Sequence, residues 1–143
     1  MSRAFHLLLV EDNPADADLT RESLELEKIY LDLSVVVDGA QALDFLFQRG
    51  DFVGAARPDL IVLDLNLPKL DGRQVLQTIK QEESLRRIPV AVLTSSDAET
   101  DIVRSYELGA NCYVTKPLDL KAFRTIVRSL QDFWLTIAKL PSS

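Results

Sequence analysis

Five short and mostly unbroken apolar runs recur along this chain: Phe5–Val10, Leu31–Val37, Leu60–Leu63, Val90–Thr94 and Asn111–Val114. A strand that is apolar at nearly every position must be covered on both faces, as in a parallel sheet between two helical layers. The intervening segments supply such layers. Asn13-Pro14 offers a cap followed by proline at the first helical position. Asp38-Gly39-Ala40-Gln41 and Ser96-Asp97-Ala98-Glu99 both have the form of a capping box, and Asp71 and Asp119 can cap the third and fifth helices. Ala42, Leu43, Leu46 and Phe47 make one apolar helical face, and Val75, Leu76 and Ile79 make another. The first helix is less regular, with Leu19, Leu26 and Ile29 but a displaced Leu24. Gly109 stands where the fourth helix should stop. Five β-α units with short connections predict right-handed crossovers and a doubly wound α/β fold built on a five-stranded parallel sheet.

Composition sets the outer limits. A length of 143 residues favours one domain, and only Pro141-Ser142-Ser143 follow the fifth helix, so a single domain over 1–143 without an output domain is expected. Met1-Ser2-Arg3-Ala4 leads straight into the first strand and leaves no room for a signal peptide. No apolar run approaches the ~20 residues of a membrane span. The lone cysteine, Cys112, cannot form an intramolecular disulfide and reads as a small buried hydrophobe. A cytoplasmic protein is expected. Sixteen Lys and Arg against 22 Asp and Glu leave a net charge of −6, a poor match to direct nucleic-acid binding.

In open α/β sheets, ligands bind outside the carboxyl ends of the strands. The exits here carry Glu11-Asp12, Asp38, Asp64, Thr94 and Lys116. A parallel sheet places them all on one edge. If the first and third strands are neighbours, Asp12 and Asp64 face each other. Three carboxylates in one place repel unless a cation joins them. Mg²⁺ accepts such oxygens at ~2.0–2.1 Å while keeping some waters. Lys116 adds a compact positive charge, and Thr94 a hydroxyl that can donate to an oxyanion. Cation, lysine and hydroxyl together make a receptor for a phosphoryl group at Asp64.

Glu11-Asp12, Asp64, Thr94 and Lys116-Pro117, in that order on successive strands, resemble the receiver domain of bacterial response regulators. The resemblance runs from about His6 to Leu130. It implies a flavodoxin- or CheY-like (βα)5 sheet of strand order 2-1-3-4-5. It implies that Asp64 accepts a phosphoryl group from a phosphohistidine on a sensor histidine kinase. Asp12 and Asp64 would bind Mg²⁺ through their carboxylates, Asn66 through its main-chain carbonyl, and Glu11 through the metal's hydration shell. Lys116 would contact the phosphoryl oxygens, Thr94 would be drawn toward them, and Tyr113 would turn inward. The Lys116-Pro117 bond would be cis. Asp64-Leu65-Asn66-Leu67-Pro68-Lys69, the long loop before Arg57-Pro58-Asp59, Val92-Leu93-Thr94-Ser95-Ser96 and Phe133-Trp134 are similar, more narrowly, to the stand-alone receivers that partner cyanobacterial phytochromes. That likeness implies a light-regulated kinase as phosphodonor, and a homodimer. Ser95 departs from the alanine that many receivers carry after the switch threonine.

Other residues have plainer readings. Asp38 serves as a helix cap, and His6, within the first strand, is structural. Leu120, Phe123, Val127, Leu130, Trp134 and Ile137 make a core-facing stripe on the fifth helix, with Ile126, Phe133 and Leu140 in a second line beside it. From Leu120 to Ala138 this helix would be about 30 Å long against strands of about 17 Å. Its last turns should overhang the sheet, and aromatics on an overhang suggest an interface involving Ile126, Phe133 and Trp134. Its polar face is not basic enough for a membrane surface. Three other functions compete. A haloacid-dehalogenase-type phosphohydrolase would carry Asp-x-Asp after its first strand, whereas Asp64 follows the third and is trailed by Asn66. A flavodoxin-like nucleotide binder would need a Ser/Thr/Gly-rich loop where Glu11-Asp12 would repel phosphate. An adaptor receiver would not need the intact acid, hydroxyl and lysine set.

Overall fold

The computed structural model describes residues 5–25, 31–134 and 139. The strands are β1 (Phe5–Val10), β2 (Leu31–Val36), β3 (Leu60–Leu63), β4 (Val90–Thr94) and β5 (Cys112–Thr115). The helices are α1 (Pro14–Glu25), α2 (Gly39–Leu46), α3 (Gly72–Gln81), α4 (Glu99–Glu107) and α5 (Leu120–Asp132). All strand pairs are parallel, in the order β2-β1-β3-β4-β5, which is the predicted doubly wound sheet.

Alternation along each strand divides the core in two. Leu8, Val10, Ile61, Leu63, Val90 and Val92 point to one face and pack on Ala42, Phe45 and Leu46 of α2 and Val75, Leu76 and Ile79 of α3. Leu7, Leu9, Leu60, Val62, Ala91 and Leu93 point to the other, against Ala17, Leu19 and Leu24 of α1 and Phe123 and Val127 of α5. The central strands β3 and β4 are buried at every position, while the edge strands β2 and β5 are mostly half-buried.

Local signals and structure differ in a few places. Asp38 accepts from the Gln41 N–H at 2.7 Å, but the Gln41 side chain returns to the Val37 N–H and so leaves the box half closed. The full capping box forms instead at Asp71 and Gln74. Ser96-Asp97-Ala98-Glu99 makes no box, because Ser96 Oγ binds Asp101 Oδ2 at 2.6 Å and α4 starts at Glu99 without a side-chain cap. Gly109 ends α4 at φ +106°, a left-handed turn that suits glycine. Leu120 is 64% exposed, so it is not part of the α5 core stripe. It sits at the first position of the helix. The backbone stays helical through Phe133. Leu26, Ile29, Ile137, Leu140 and the expected end of α5 at Ala138 lie outside the described residues.

Gly72 couples this scaffold to the strand exits. A Cβ there would meet the Asp64 carbonyl oxygen at 2.3 Å and Leu65 Cα at 2.6 Å, both backbone atoms that cannot swing aside. Gly72→Ala therefore forces α3 away from the end of β3. The expected loss is about 1–3 kcal/mol, read as a lower urea midpoint with an unchanged slope.

Candidate functional site

Register sets the site. Val10 of β1 pairs with Leu63 of β3, so the next residues, Glu11 and Asp64, leave the sheet side by side. The Asp64 N–H donates to the Val10 carbonyl at 3.1 Å. Thr94 pairs with Thr115, which places Lys116 one step beyond the end of the β4–β5 ladder. Its N–H donates to the Thr94 carbonyl at 2.7 Å. Sheet topology thus gathers side chains drawn from residues 11 to 116.

Asp64 is buried at 6% exposure, and each of its carboxylate oxygens has a partner. Oδ1 accepts from the Thr94 hydroxyl at 2.9 Å and the Asn66 N–H at 3.2 Å. Oδ2 accepts from Lys116 Nζ at 3.0 Å. Lys116 also donates to Glu11 Oε1 at 2.5 Å and to Asp16 Oδ2 at 3.0 Å. Glu11, 2% exposed, takes a further bond from the Asn13 N–H at 3.2 Å. Asp12 is exposed, yet one carboxylate oxygen each from Glu11, Asp12 and Asp64 lie within 4.8 Å of one another. Three hard, anionic oxygens at that separation suit Mg²⁺ or a similar cation. Asn66 stands beside them with its side chain exposed.

The charges are unequal in environment. Burial pushes the Glu11 carboxyl up to about 7, although the Lys116 hydrogen bond and charge pull the other way. Burial also opposes ionisation of Asp64. There, however, the Lys116 charge and the bonds from Lys116, Asn66 and Thr94 prevail and hold it below the usual carboxylate range. Burial would lower Lys116, but Glu11, Asp64 and Asp16 outweigh it and keep the ammonium charged. Asp64 is thus an ionised, buried carboxylate at the edge of the sheet, with an ammonium and a hydroxyl already aimed at it.

A second cluster adjoins the first. Arg73 of α3 binds Asp101 of α4 through Nη2 at 2.6 Å and Asp71 through Nη1 at 3.1 Å. Asp101 also accepts from Ser96, whose carbonyl accepts from the Tyr113 hydroxyl at 2.8 Å. Half-buried Tyr113 packs against the α2–α3 side of the core. This chain ties the loop after Thr94 to both α3 and β5.

Of the residues singled out from sequence, Glu11, Asp12, Asp64, Asn66, Thr94 and Lys116 come together, and Tyr113 reaches the same loop. Asp38 caps α2, and His6 lies away from the exits against Asp32 and Asp59. Cys112 is half-buried and packs against the α1–α5 side. The described residues contain no cis peptide, so Lys116-Pro117 is trans, contrary to expectation. The trans amide is intrinsically favoured by about 0.5–1 kcal/mol, and Lys116 reaches all three of its carboxylates from it. Asp16, Arg73 and Asp101 join the site without having been singled out by the sequence pattern. For Asp16 a signal existed, since the first turn of the helix leaving β1 lies at the same sheet edge.

Ile126 is half-buried against the core, whereas Phe133 is 48% exposed and meets Trp134 edge-on at 5.2 Å. Among the described residues no helix is long and apolar enough to cross a membrane.

The chain is similar to known proteins along nearly its whole length. Residues 7–128 match the family described as the response regulator receiver domain. The chain is 48% identical over 137 residues to the response regulator Rcp1 of Synechocystis, covering 96% of this chain and 93% of that protein. The crystal structure of the phosphorylated cyanobacterial phytochrome response regulator RcpA superposes with a TM-score of 0.95 at 47% identity, covering 98% of this chain and 100% of that one. The Mn²⁺-bound form of Rcp1 superposes with a TM-score of 0.93 at 48% identity, over 96% of this chain and 99% of that one. A sheet of order 2-1-3-4-5 with this set of strand exits, matched along nearly its whole length by such proteins, makes the chain a member of the response regulator receiver domain family, a signalling module of two-component systems.

Proposed function

We propose that Asp64 accepts a phosphoryl group from a phosphohistidine on a sensor histidine kinase, and that the protein works as a phosphorylation switch in one receiver unit. The observation that carries this reading is the Asp64 carboxylate itself, ionised though buried and held by Lys116 and Thr94. One Asp64 oxygen forms the new O–P bond as the P–N bond to the donor imidazole breaks. The imidazole leaves with the electron pair. Lys116 faces the charge on the phosphoryl oxygens, and Thr94 follows them. Glu11, Asp12 and Asp64, with the main-chain carbonyl of Asn66, would hold Mg²⁺. When bound, the metal supplies positive charge to the transferring group. Peptide mapping after exposure to phosphorylated kinase should find the phosphoryl group on Asp64. A label confined to another residue would overturn the proposal.

Several observations support the finer points. The likeness to Rcp1 and to RcpA, the latter described as a cyanobacterial phytochrome response regulator, favours a phytochrome-type kinase as donor, and a cytoplasmic setting is part of the same proposal. The Mn²⁺-bound structure of Rcp1 favours a divalent cation at the acidic cluster. Mg²⁺ at a hundred times its Kd should add about 2.7 kcal/mol of stability, seen as a rise in Tm that Asp12→Asn abolishes.

The output surface is the α4-β5-α5 face, reached from Thr94 through Ser96 and Tyr113. Exposed Val103 and Tyr106 of α4, and Phe133 after α5, leave apolar area there for a second copy of the chain. Ile126, Phe133 and Trp134 are the dimer candidates. Phe133→Ser combined with Trp134→Ser should convert a dimer to monomer in analytical ultracentrifugation, and a dimer that persists would move the interface elsewhere.

A further inference from the structure

Lys116 has no donor to spare. An ammonium offers three N–H donors and no acceptor. Here the three partners are Glu11, Asp16 and Asp64. A phosphoryl group on Asp64 brings fresh anionic oxygens beside this ammonium, and Lys116 can donate to one of them only by releasing a present partner.

The three partners differ in what their release leaves behind. Glu11 is 2% exposed, so releasing it would leave its Oε1 without the Lys116 hydrogen bond and without water to replace it. Asp64 is the group being modified. The Asp16 side chain is 31% exposed, so its carboxylate can return to water. Its backbone is meanwhile fixed in the first turn of α1, where the N–H bonds to Asn13 Oδ1 at 3.1 Å and the carbonyl accepts from Thr20 at 2.8 Å. An acid in that first turn is also favoured by the helix dipole. Release of Asp16 is therefore the least costly of the three.

We infer that Asp16 is a positioning residue, holding Lys116 Nζ while Asp64 is unmodified and ceding that hydrogen bond to the phosphoryl group when it arrives. The inference rests on the reading of Asp64 as phosphoacceptor. It gives Asp16 a definite effect, since it competes with the phosphoryl group for Lys116 and weakens the modified state. The exchange also frees the exit of β5 from α1, a contact that no other described ion pair of Lys116 makes.

Beryllium fluoride in saturating Mg²⁺ imitates an aspartyl phosphate and serves as the probe, with affinity measured by calorimetry. Asp16→Asn should bind it about threefold more tightly than the unaltered protein, the scale of one part-exposed ion pair. Asp16→Glu, which restores the carboxylate, should return toward the original affinity. Asp18→Asn removes the same charge two residues along α1, where the side chain does not share the Asp16 face, and should leave the affinity unchanged. Mg²⁺ affinity without beryllium fluoride should not rise in Asp16→Asn, which separates release of Lys116 from a general loosening of the site. An unchanged or weaker affinity in Asp16→Asn overturns the inference, and so does an equal gain in Asp18→Asn. In either case, binding by the unaltered protein and its absence in Asp64→Asn keep the phosphoacceptor reading intact. Failure of the unaltered protein to bind at all would remove both.

Discussion

Asp64→Asn takes up no phosphoryl group from a phosphorylated histidine kinase or from acetyl phosphate, while keeping the fold. The substitution is nearly isosteric. A carboxamide keeps one acceptor oxygen, which can face Lys116, and its NH2 can donate to the Thr94 hydroxyl, at the positions where Asp64 now bonds Lys116 at 3.0 Å and Thr94 at 2.9 Å. What disappears is the anionic nucleophile, and no neighbour can replace it. Glu11 is buried, held near a pKa of about 7 by that burial, and already bound to Lys116 and to the Asn13 N–H. Asp16 is engaged with the same lysine. The expected loss is complete on the scale of phosphorylation assays, because nucleophilic transfer needs the activated oxygen itself. Intact-protein mass after a fixed exposure reads it directly. Labelling of the variant at the original rate would show that the acceptor is elsewhere. Circular dichroism should show an unchanged spectrum, which keeps loss of transfer apart from loss of fold.

Lys116→Met carries the largest expected effect on stability. Its ammonium is the charge that Glu11, Asp16 and Asp64 share. Glu11 and Asp64 are almost wholly buried, so removing the cation leaves Asp64 a buried charge without its partner and drives Glu11, already raised to about 7 by burial, toward its neutral form. Breaking a buried ion pair from one side costs about 3–5 kcal/mol. Without divalent metal, urea unfolding of the variant should shift by that amount, with a Tm lower by roughly 10–17 °C. Adding Mg²⁺ should recover part of the loss, since a cation at Glu11, Asp12 and Asp64 replaces the missing positive charge. A variant as stable as the original in chelator would mean that the acids do not depend on Lys116 for charge compensation. Methionine retains the length and apolar stem of lysine, so the shift reports charge more than packing.

The two substitutions act on one cluster from opposite sides, and most of that cluster is legible in the order of residues along the chain. Glu11, Asp64, Thr94 and Lys116 each close or follow an apolar run, and a parallel sheet sends all such exits to one edge. That inference needs only strand positions and direction. It fails for contacts made by helices with each other or with the exits. Arg73 and Asp101 lie 28 residues apart on α3 and α4, and no periodicity pairs them. Ser96 satisfies the pattern of a capping box, but its hydroxyl finds Asp101, a stronger acceptor, within reach. Leu120 satisfies the apolar spacing of α5, but at the first position of the helix it is exposed and outside the core that Phe123 and Val127 join. Phe45 falls outside the predicted face of α2, yet it is buried and packs on Phe52 of the following loop at 5.4 Å between ring centroids.

Sequence alone determined the five strands, their parallel arrangement between two helical layers, and the set of side chains at the exits. These follow from hydrophobic patterning and from the fixed direction of a βα unit, both local properties of the chain. The tertiary structure decided which carboxylates share Lys116, that Asp16 is among them, and that the Lys116-Pro117 bond is trans. The reason is geometric. A hydrogen bond depends on angstrom-scale placement of side chains on different elements, and that placement exists only once sheet register and helix packing have been set.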